Sequence, residues 1–253
     1  MSALEILAIL AAGFAAGTIN VVVGSGTLIT FPVLLAFGFA PVTANVSNSL
    51  GLAPGALTGA FGYRRELEGQ WRRSLRLACG TFVGAITGAI LLLVLPASAF
   101  KAIVPVFIVV ALVLVVAQPR ISERLARRAA RERRPAHEAG PLLMLAVLVA
   151  GVYGGYFGAA QGILLIAILS IGLDESLQRV NAVKNMLAGL ANLVSGIVFA
   201  IAAPHLDWAV AGLLAVASIS GGAIGARYGR RLPPAALRAL IVAVGIVAIV
   251  RLV

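Results

Sequence analysis

The chain has 253 residues, of which 61% are hydrophobic and only 11% charged, with a mean hydropathy of +1.05. A soluble domain runs at about 45–50% apolar and about 25% charged. The chain is therefore not an ordinary soluble globule. The formal net charge is +11, from 20 Lys+Arg against 9 Asp+Glu. Such a surplus raises the question of nucleic-acid binding, which the placement of the charges answers below.

Taken in order, apolar segments fall at 4–23, 27–38, 42–63, 74–95 and 98–117. A basic stretch, 118–140, follows. Apolar segments then resume at 142–158, 162–172, 181–200, 208–227 and 235–253. A membrane-crossing helix needs about 20 apolar residues. The segments 27–38 and 162–172 are shorter, and each follows a glycine-rich break: Gly24-Ser25-Gly26 and Gly158-Ala159-Ala160-Gln161-Gly162. Short apolar pieces beside such breaks are expected to be broken or re-entrant helices. Irregular backbone survives at membrane depth only where protein or a cavity surrounds it.

The two halves of the pattern are copies. Trp71 and Trp208, the two tryptophans of the chain, lie 137 residues apart (208 − 71). The same offset pairs Gly17 with Gly154, Asn48 with Asn185, Gly59 with Gly196, Gly84 with Gly221, Gly88 with Gly225 and Leu95-Pro96 with Leu232-Pro233. This divides the chain into a first repeat, 1–117, a linker, 118–140, and a second repeat, 141–253.

Charge assigns the faces. Arg64, Arg65, Arg72 and Arg73 follow the third segment. The linker carries Arg120, Arg124, Arg127, Arg128, Arg131, Arg133 and Arg134, and Arg227, Arg230 and Arg231 follow the ninth. Lys and Arg mark cytoplasmic loops. The counterpart of 64–73 is 201–210, which holds neither Lys nor Arg and is expected outside. Equivalent loops on opposite faces require an odd number of crossings per repeat. The fold class expected is an all-α polytopic membrane protein of two inverted-topology repeats, about five segments each, whose first two segments form a broken or re-entrant pair. Inverted repeats of this kind recur in secondary transporters. The N-terminus is then outside and the linker cytoplasmic. The first segment, which lacks a basic start, is expected to be a membrane segment rather than a cleaved leader. The +11 becomes a topological signal in contact with anionic lipid headgroups, and no nucleic-acid partner is expected.

Polar residues at lipid depth usually face a bundle interior or a cavity. One group surrounds the first break: Thr18, Asn20, Ser25, Thr27 and Thr30, with Gln161 in the second copy. Another opens the third segment of each repeat: Thr43, Asn45, Ser47, Asn48 and Ser49, matched by Asn181, Lys184, Asn185 and Asn192. Asn48 and Asn185 are repeat mates that could face each other across a pseudo-two-fold axis; interhelical hydrogen bonding is the plainer reading of such amides. Each break should expose helix N-terminal N–H groups, which favour anions. The hinge glycines are Gly24, Gly26, Gly158 and Gly162. Glu5, Glu66, Glu68, Asp174, Glu175 and Asp207 fall at segment ends or in loops, so no carboxylate lies within a membrane segment. A proton relay through acids or a cation site is therefore poorly supported. Lys184 is expected to snorkel to the cytoplasmic interface, or else to attract an anion. The stripes Gly13-x-x-x-Gly17, Gly55-x-x-x-Gly59, Gly80-x-x-x-Gly84-x-x-x-Gly88 and Gly221-x-x-x-Gly225-x-x-x-Gly229 suit close helix packing. Cys79, the single cysteine, excludes an intrachain disulfide and reads as a small buried apolar residue. His137 and His205 sit in polar linkers, so nothing calls for a metal or other cofactor, or for a catalytic group.

The entry from Gly13-Phe14-Ala15-Ala16-Gly17 through Gly24-Ser25-Gly26 to Pro32 carries a resemblance. So do Gly151-Val152-Tyr153-Gly154-Gly155-Tyr156-Phe157-Gly158-Ala159-Ala160-Gln161-Gly162 and Asn181-Ala182-Val183-Lys184-Asn185. Through them the chain resembles the sulfite exporter TauE/SafE family of membrane permeases over nearly its whole length. The resemblance implies a plasma-membrane transporter of sulfur-containing or other organic anions, often moved outward. The expected function is a secondary transporter of small anions such as sulfite or organosulfonates. It would work by alternating access around Asn20, Ser25, Thr27, Asn48, Gln161, Lys184 and Asn185. A homodimer is compatible with this layout. The rivals are an intramembrane enzyme, for which no nucleophile–base pair is seen, a non-transporting assembly partner, and a carrier of another organic anion.

Overall fold

In a computed structural model, residues 1–131, 140–229 and 234–252 are described. Arg133, Arg134, His137, Arg230, Arg231 and the Leu232-Pro233 pair lie outside them. Among the described residues the chain is all-helical. The helices are α1 (Ala3–Val22), α2 (Thr27–Ala36), α3 (Pro41–Gly62), α4 (Trp71–Val94), α5 (Ala97–Arg131), α6 (Pro141–Tyr156), α7 (Gln161–Gly172), α8 (Leu177–Ala202), α9 (Trp208–Tyr228) and α10 (Pro234–Leu252). One 3₁₀ turn, Arg64–Leu67, precedes α4.

Five of these are long and apolar enough to cross a membrane: α1, α4, α5 over Ala97–Ile121, α8 and α9. Apolar residues on their outer faces, among them Leu7, Phe82, Val83, Val113, Ile201 and Val216, are exposed, as a lipid solvent requires. Trp71 and Trp208 each open a helix and are exposed there, the placement favoured by amphipathic aromatics at a membrane interface.

Local signals explain several boundaries. Ser2 and Glu5 form a reciprocal capping box at α1. Asp207 accepts from the N–H groups of Ala209 and Val210 to cap α9. Proline takes a first-turn position in α3 and α6, where its missing N–H has no cost. Two sequence expectations need correction. Helix α5 does not stop at 117 but continues to Arg131, because an Arg-rich run of good helix formers needs no lipid to stay helical. Cys79 is exposed rather than buried, on the lipid-facing side of α4.

Small residues set the packing. Gly80, Gly84 and Gly88 of α4 lie against Met144, Leu148 and Val152 of α6. Gly13 and Gly17 of α1 lie against Leu214 and Ser218 of α9, and Gly51, Gly55 and Gly62 of α3 against Leu214, Ser218 and Ala226. These close approaches favour dispersion contact where lipid removes any hydrophobic drive between helices. They also give direction. The contacts advance together along α1 and α9, along α4 and α6, and along α3 and α9. Gly189 and Gly196 of α8 instead meet Ala56 and then Leu50 of α3, so α3 and α8 run antiparallel. Helix α4 runs with α8, from Arg73 beside Glu175 to Ala85 beside Ala191. It follows that α3 opposes α8, α4 opposes α9 and α1 opposes α6. The packing is also self-similar: α1 on α9 corresponds to α6 on α4, and α2 on α10 to α7 on α5.

The 137-residue register is not uniform. It holds at the starts of α4 and α9 and of α5 and α10, but the breaks, at Gly24 and Gly158, lie only 134 apart (158 − 24). Helix α6 has 16 residues where α1 has 20, and α7 has 12 where α2 has 10, so the offset between corresponding helices shifts along the chain. Thr27, not Gly24, is therefore the structural counterpart of Gln161: each is the first residue of the helix after its break.

Candidate functional site

The two breaks are built alike. At the end of α1 the N–H groups of Val23 and Gly24 both donate to the Ile19 carbonyl, at 2.7 and 3.0 Å. At the end of α6 those of Phe157 and Gly158 donate to the Tyr153 carbonyl, at 2.9 and 3.0 Å. Gly24 (φ +89°) and Gly158 (φ +74°) take the left-handed backbone that turns the chain. Ala160 also takes it, at φ +58°, which costs an L-residue about 1–2 kcal/mol. The Tyr153 hydroxyl holds that loop by donating to the Ala159 carbonyl.

The breaks touch. The Gly162 N–H donates to the Gly24 carbonyl at 3.0 Å. A Cβ on Gly24 would stand 2.5 Å from the Gly162 Cα, so no side chain fits at this crossing. Both breaks therefore meet in the interior, between the two halves of the chain.

An α-helix leaves its last four carbonyls without intrahelical partners. In lipid each must be satisfied by protein. Here the opposite half of the chain supplies the donors. The Lys184 ammonium, on α8 and fully buried, donates to the carbonyls of Asn20 and Val21, both at 3.1 Å, and to Asn185 Oδ1 at 2.7 Å. Asn185 Nδ2 adds a long bond of 3.4 Å to the Val21 carbonyl. Conversely, Asn45 on α3 donates to the Tyr156 carbonyl at the end of α6, at 2.9 Å. Each broken end is thus held by the third helix of the other half.

Lys184 does not snorkel to the interface. It lies two turns inside α8, turned towards the end of α1, where the negative end of that helix's dipole favours a cation. All three of its hydrogen-bond partners are neutral groups.

Asn48 binds within its own half. Its Nδ2 donates to Thr27 Oγ1 at 3.3 Å, and the Thr30 hydroxyl donates to its Oδ1. Asn48 and Asn185 are thus each committed to other partners and do not pair with one another. Ser25 is buried, and its Oγ has no hydrogen-bond partner among the described residues. Gln161 is turned back onto α6, its Nε2 donating to the Ala150 carbonyl at 3.0 Å in room that Gly154 leaves. Asn20 contributes its backbone carbonyl to Lys184, and its side-chain amide has no hydrogen-bond partner among the described residues. The expected supply of N–H groups at α7 is largely used, since Gln161, Gly162 and Ile163 donate to Gly158, Gly24 and Ala160. All three donors of Lys184 are spent on α1 and Asn185, so among the described side chains the donors left to a ligand are the hydroxyls of Ser25 and Thr27 and the amide of Asn20.

Asn45 and Thr30 stand in the two polar groups of the sequence but not among the residues expected to bind the substrate. Asn45 stands one turn before Asn48, which is the signal that could have found it. The carbonyls of Asn20, Val21 and Tyr156 carry no side-chain signature. Phe31 and Phe157 pack edge to face at 5.1 Å beside the breaks, and Phe100 and Phe107 close around Tyr156 and Phe157. That aromatic wall also gives no signal in sequence, because its members come from α2, α5 and α6.

The exposed apolar exterior, the five long apolar helices and a polar centre at paired helix breaks define a multi-pass membrane protein with a buried polar centre. The family described as "Sulfite exporter TauE/SafE" matches residues 9–252, and the chain is a membrane transporter belonging to it. Among curated proteins it is similar to the "Probable membrane transporter protein YfcA" of Escherichia coli strain K12, at 27% identity over 86% of this chain and 76% of that one. It is likewise similar to a "Probable membrane transporter protein" of Haemophilus influenzae, at 27% identity over 88% of this chain and 85% of the relative. A "Probable membrane transporter protein ORF9" of a Sinorhizobium species matches at 32% identity over 41% of the chain. No solved structure matches.

Proposed function

We propose that the chain is a secondary transporter of small oxyanions, with sulfite or an organosulfonate as substrate, working by alternating access between two inverted repeats. The opposed directions of α3 and α8, α4 and α9, and α1 and α6 support the inverted reading. The Arg-rich turn at 64–73 supports a cytoplasmic position for its face and an outside N-terminus, in a protein we place in the plasma membrane.

The observation that carries the anion is Lys184. A buried ammonium with only neutral partners is a large electrostatic cost. A helix C-terminus offsets part of it, as only a partial charge. An anion beside Lys184, accepting from Ser25 and Thr27, would complete the neutralisation. The same centre repels a cation. Exchange of Lys184 between the α1 carbonyls and the anion would then couple occupancy to the contact between the repeats.

The test is flux of labelled sulfite, thiosulfate and a small organosulfonate in proteoliposomes. Wild-type flux above empty vesicles for at least one of them is expected. Ser25→Ala with Thr27→Val should lower it about tenfold or more, the order of two lost hydrogen bonds. Flux unchanged by that pair, or no anion flux at all, would overturn the reading.

A further inference from the structure

We infer that Arg73 and Arg179 form a second oxyanion site at the mouth on the 64–73 face, occupied in this structure by the protein's own Glu175 carboxylate. Arg73 Nη2 meets Glu175 Oε1 at 2.7 Å, and Arg179 Nε meets Oε2 at 2.6 Å. The two guanidiniums thus take the two oxygens of one planar anion. They come from the two halves of the chain, Arg73 from α4 and Arg179 from α8.

The fork is pre-positioned. Gln70 is buried, and its Oε1 accepts from Arg73 at 2.7 Å. Its Nε2 donates to the Glu66 carbonyl at 2.8 Å and to the Arg179 carbonyl at 3.3 Å. Arg179 Nη2 donates to the Glu68 carbonyl at 3.0 Å. Fixed Arg forks of this kind recognise carboxylates and other oxyanions.

One further observation selects the ligand class. Arg73 Nε is buried and has no hydrogen-bond partner among the described residues. The Glu175 carboxylate, tethered to its own backbone, meets Arg73 through Nη2 alone. A sulfite, sulfate or sulfonate has a third oxygen, which a spare guanidinium donor fits. The site is also one-sided. Val210 lies 137 residues from Arg73, and at offsets of 134 to 137 the counterparts of Glu175 and Arg179 fall within 38–45; none of these positions carries a charge. The clamp therefore has no counterpart at the opposite mouth. An oxyanion displacing Glu175 would part α4 from the α7–α8 turn on this face only.

The choice of a sulfur oxyanion rests on the transport reading above, but binding is measured without transport, so the two can fail separately. Protein purified in detergent is titrated with sodium sulfate, and with sodium chloride at matched ionic strength, while thermal unfolding is followed. Glu175→Gln removes the resident anion and keeps the shape. We expect its apparent sulfate affinity to be at least tenfold tighter than wild type, and Arg73→Gln in that background to abolish the response. If Glu175→Gln yields no folded protein, Glu175→Asp, whose carboxylate is drawn back by one methylene, should show a smaller gain of the same sign. A sulfate response equal in wild type and variant, one reproduced by chloride, or one that survives Arg73→Gln would overturn the site. An anionic lipid headgroup shares this chemistry. A parallel titration with short-chain phosphatidylglycerol separates the two: a larger shift with sulfate supports the entry site, and a larger shift with lipid overturns it.

Discussion

Replacing Lys184 by Met keeps most of the side-chain volume and removes the ammonium. Three hydrogen bonds are lost, to the carbonyls of Asn20 and Val21 and to Asn185 Oδ1. The Asn20 carbonyl is then orphaned, and the Val21 carbonyl keeps only the long bond from Asn185. Leaving a buried acceptor unpaired costs about 1–3 kcal/mol. Two carbonyls, one of them partly covered, and one amide oxygen give a loss of roughly 3–6 kcal/mol on that scale. Removing an ammonium that has no carboxylate partner returns part of this, since burying a charge is itself unfavourable. A net loss of about 2–4 kcal/mol is expected, or a fall in Tm of roughly 5–15 °C at this chain length. The assay is thermal unfolding of purified protein in one detergent, with Asn185→Ala and the double variant completing a cycle. The cycle should show coupling, because both side chains serve the Val21 carbonyl. A variant as stable as wild type, or more stable, would refute the claim that Lys184 holds the end of α1. It would mean that relief of the buried charge outweighs the carbonyls.

Three further outcomes follow from the same geometry. Gly24→Ala and Gly38→Ala both place Cβ on a left-handed residue, at φ +89° and +85°, but only Gly24 faces the other break, while nothing lies within 4 Å of Gly38. In thermal unfolding Gly38→Ala should lose about 1–2 kcal/mol and Gly24→Ala clearly more; equal losses would argue that the breaks do not touch. Asn45→Ala unpairs the Tyr156 carbonyl and should lower stability by about 1–3 kcal/mol, read the same way, whereas exposed Ser220→Ala should be near neutral. Burial pushes the Glu175 carboxyl up, but the hydrogen bonds and charges of Arg73 and Arg179 overcome this and hold it below the usual carboxylate range. Its stabilising contribution is therefore fully present above about pH 4.3, the ordinary Glu value, and is lost as pH falls through the lower folded value. Wild-type Tm minus that of Glu175→Gln should be constant from pH 7 to about pH 5 and shrink only below pH 4.

The linear chain already determined a good deal. Length of apolar run and the glycine, proline and tryptophan landmarks place all ten helices, because in lipid a backbone segment either makes its own hydrogen bonds or is broken where protein can cover it. The tryptophans on which the repeat reading rests, Trp71 and Trp208, each open a helix. The polarity of the centre was legible too, since Ser25, Thr27, Asn48, Lys184 and Asn185 stand out in apolar surroundings. What each of them does was decided by the tertiary structure. Lys184 reads as a residue near enough to its helix start to reach the interface. It turns inward because α1 ends beside it, Val21 lying 163 residues away in sequence, with carbonyls left open by the helix end. Gln161 reads as a donor to a ligand, yet its amide donates to Ala150 on the preceding helix, α6. The contact of Gly24 with Gly162, and the Arg73–Glu175–Arg179 clamp, join residues from opposite halves whose neighbourhood no local pattern encodes. Helix formation is a local property of the chain, whereas the pairing of orphaned carbonyls, unpaired hydroxyls and charges depends on which helix ends the packing brings together.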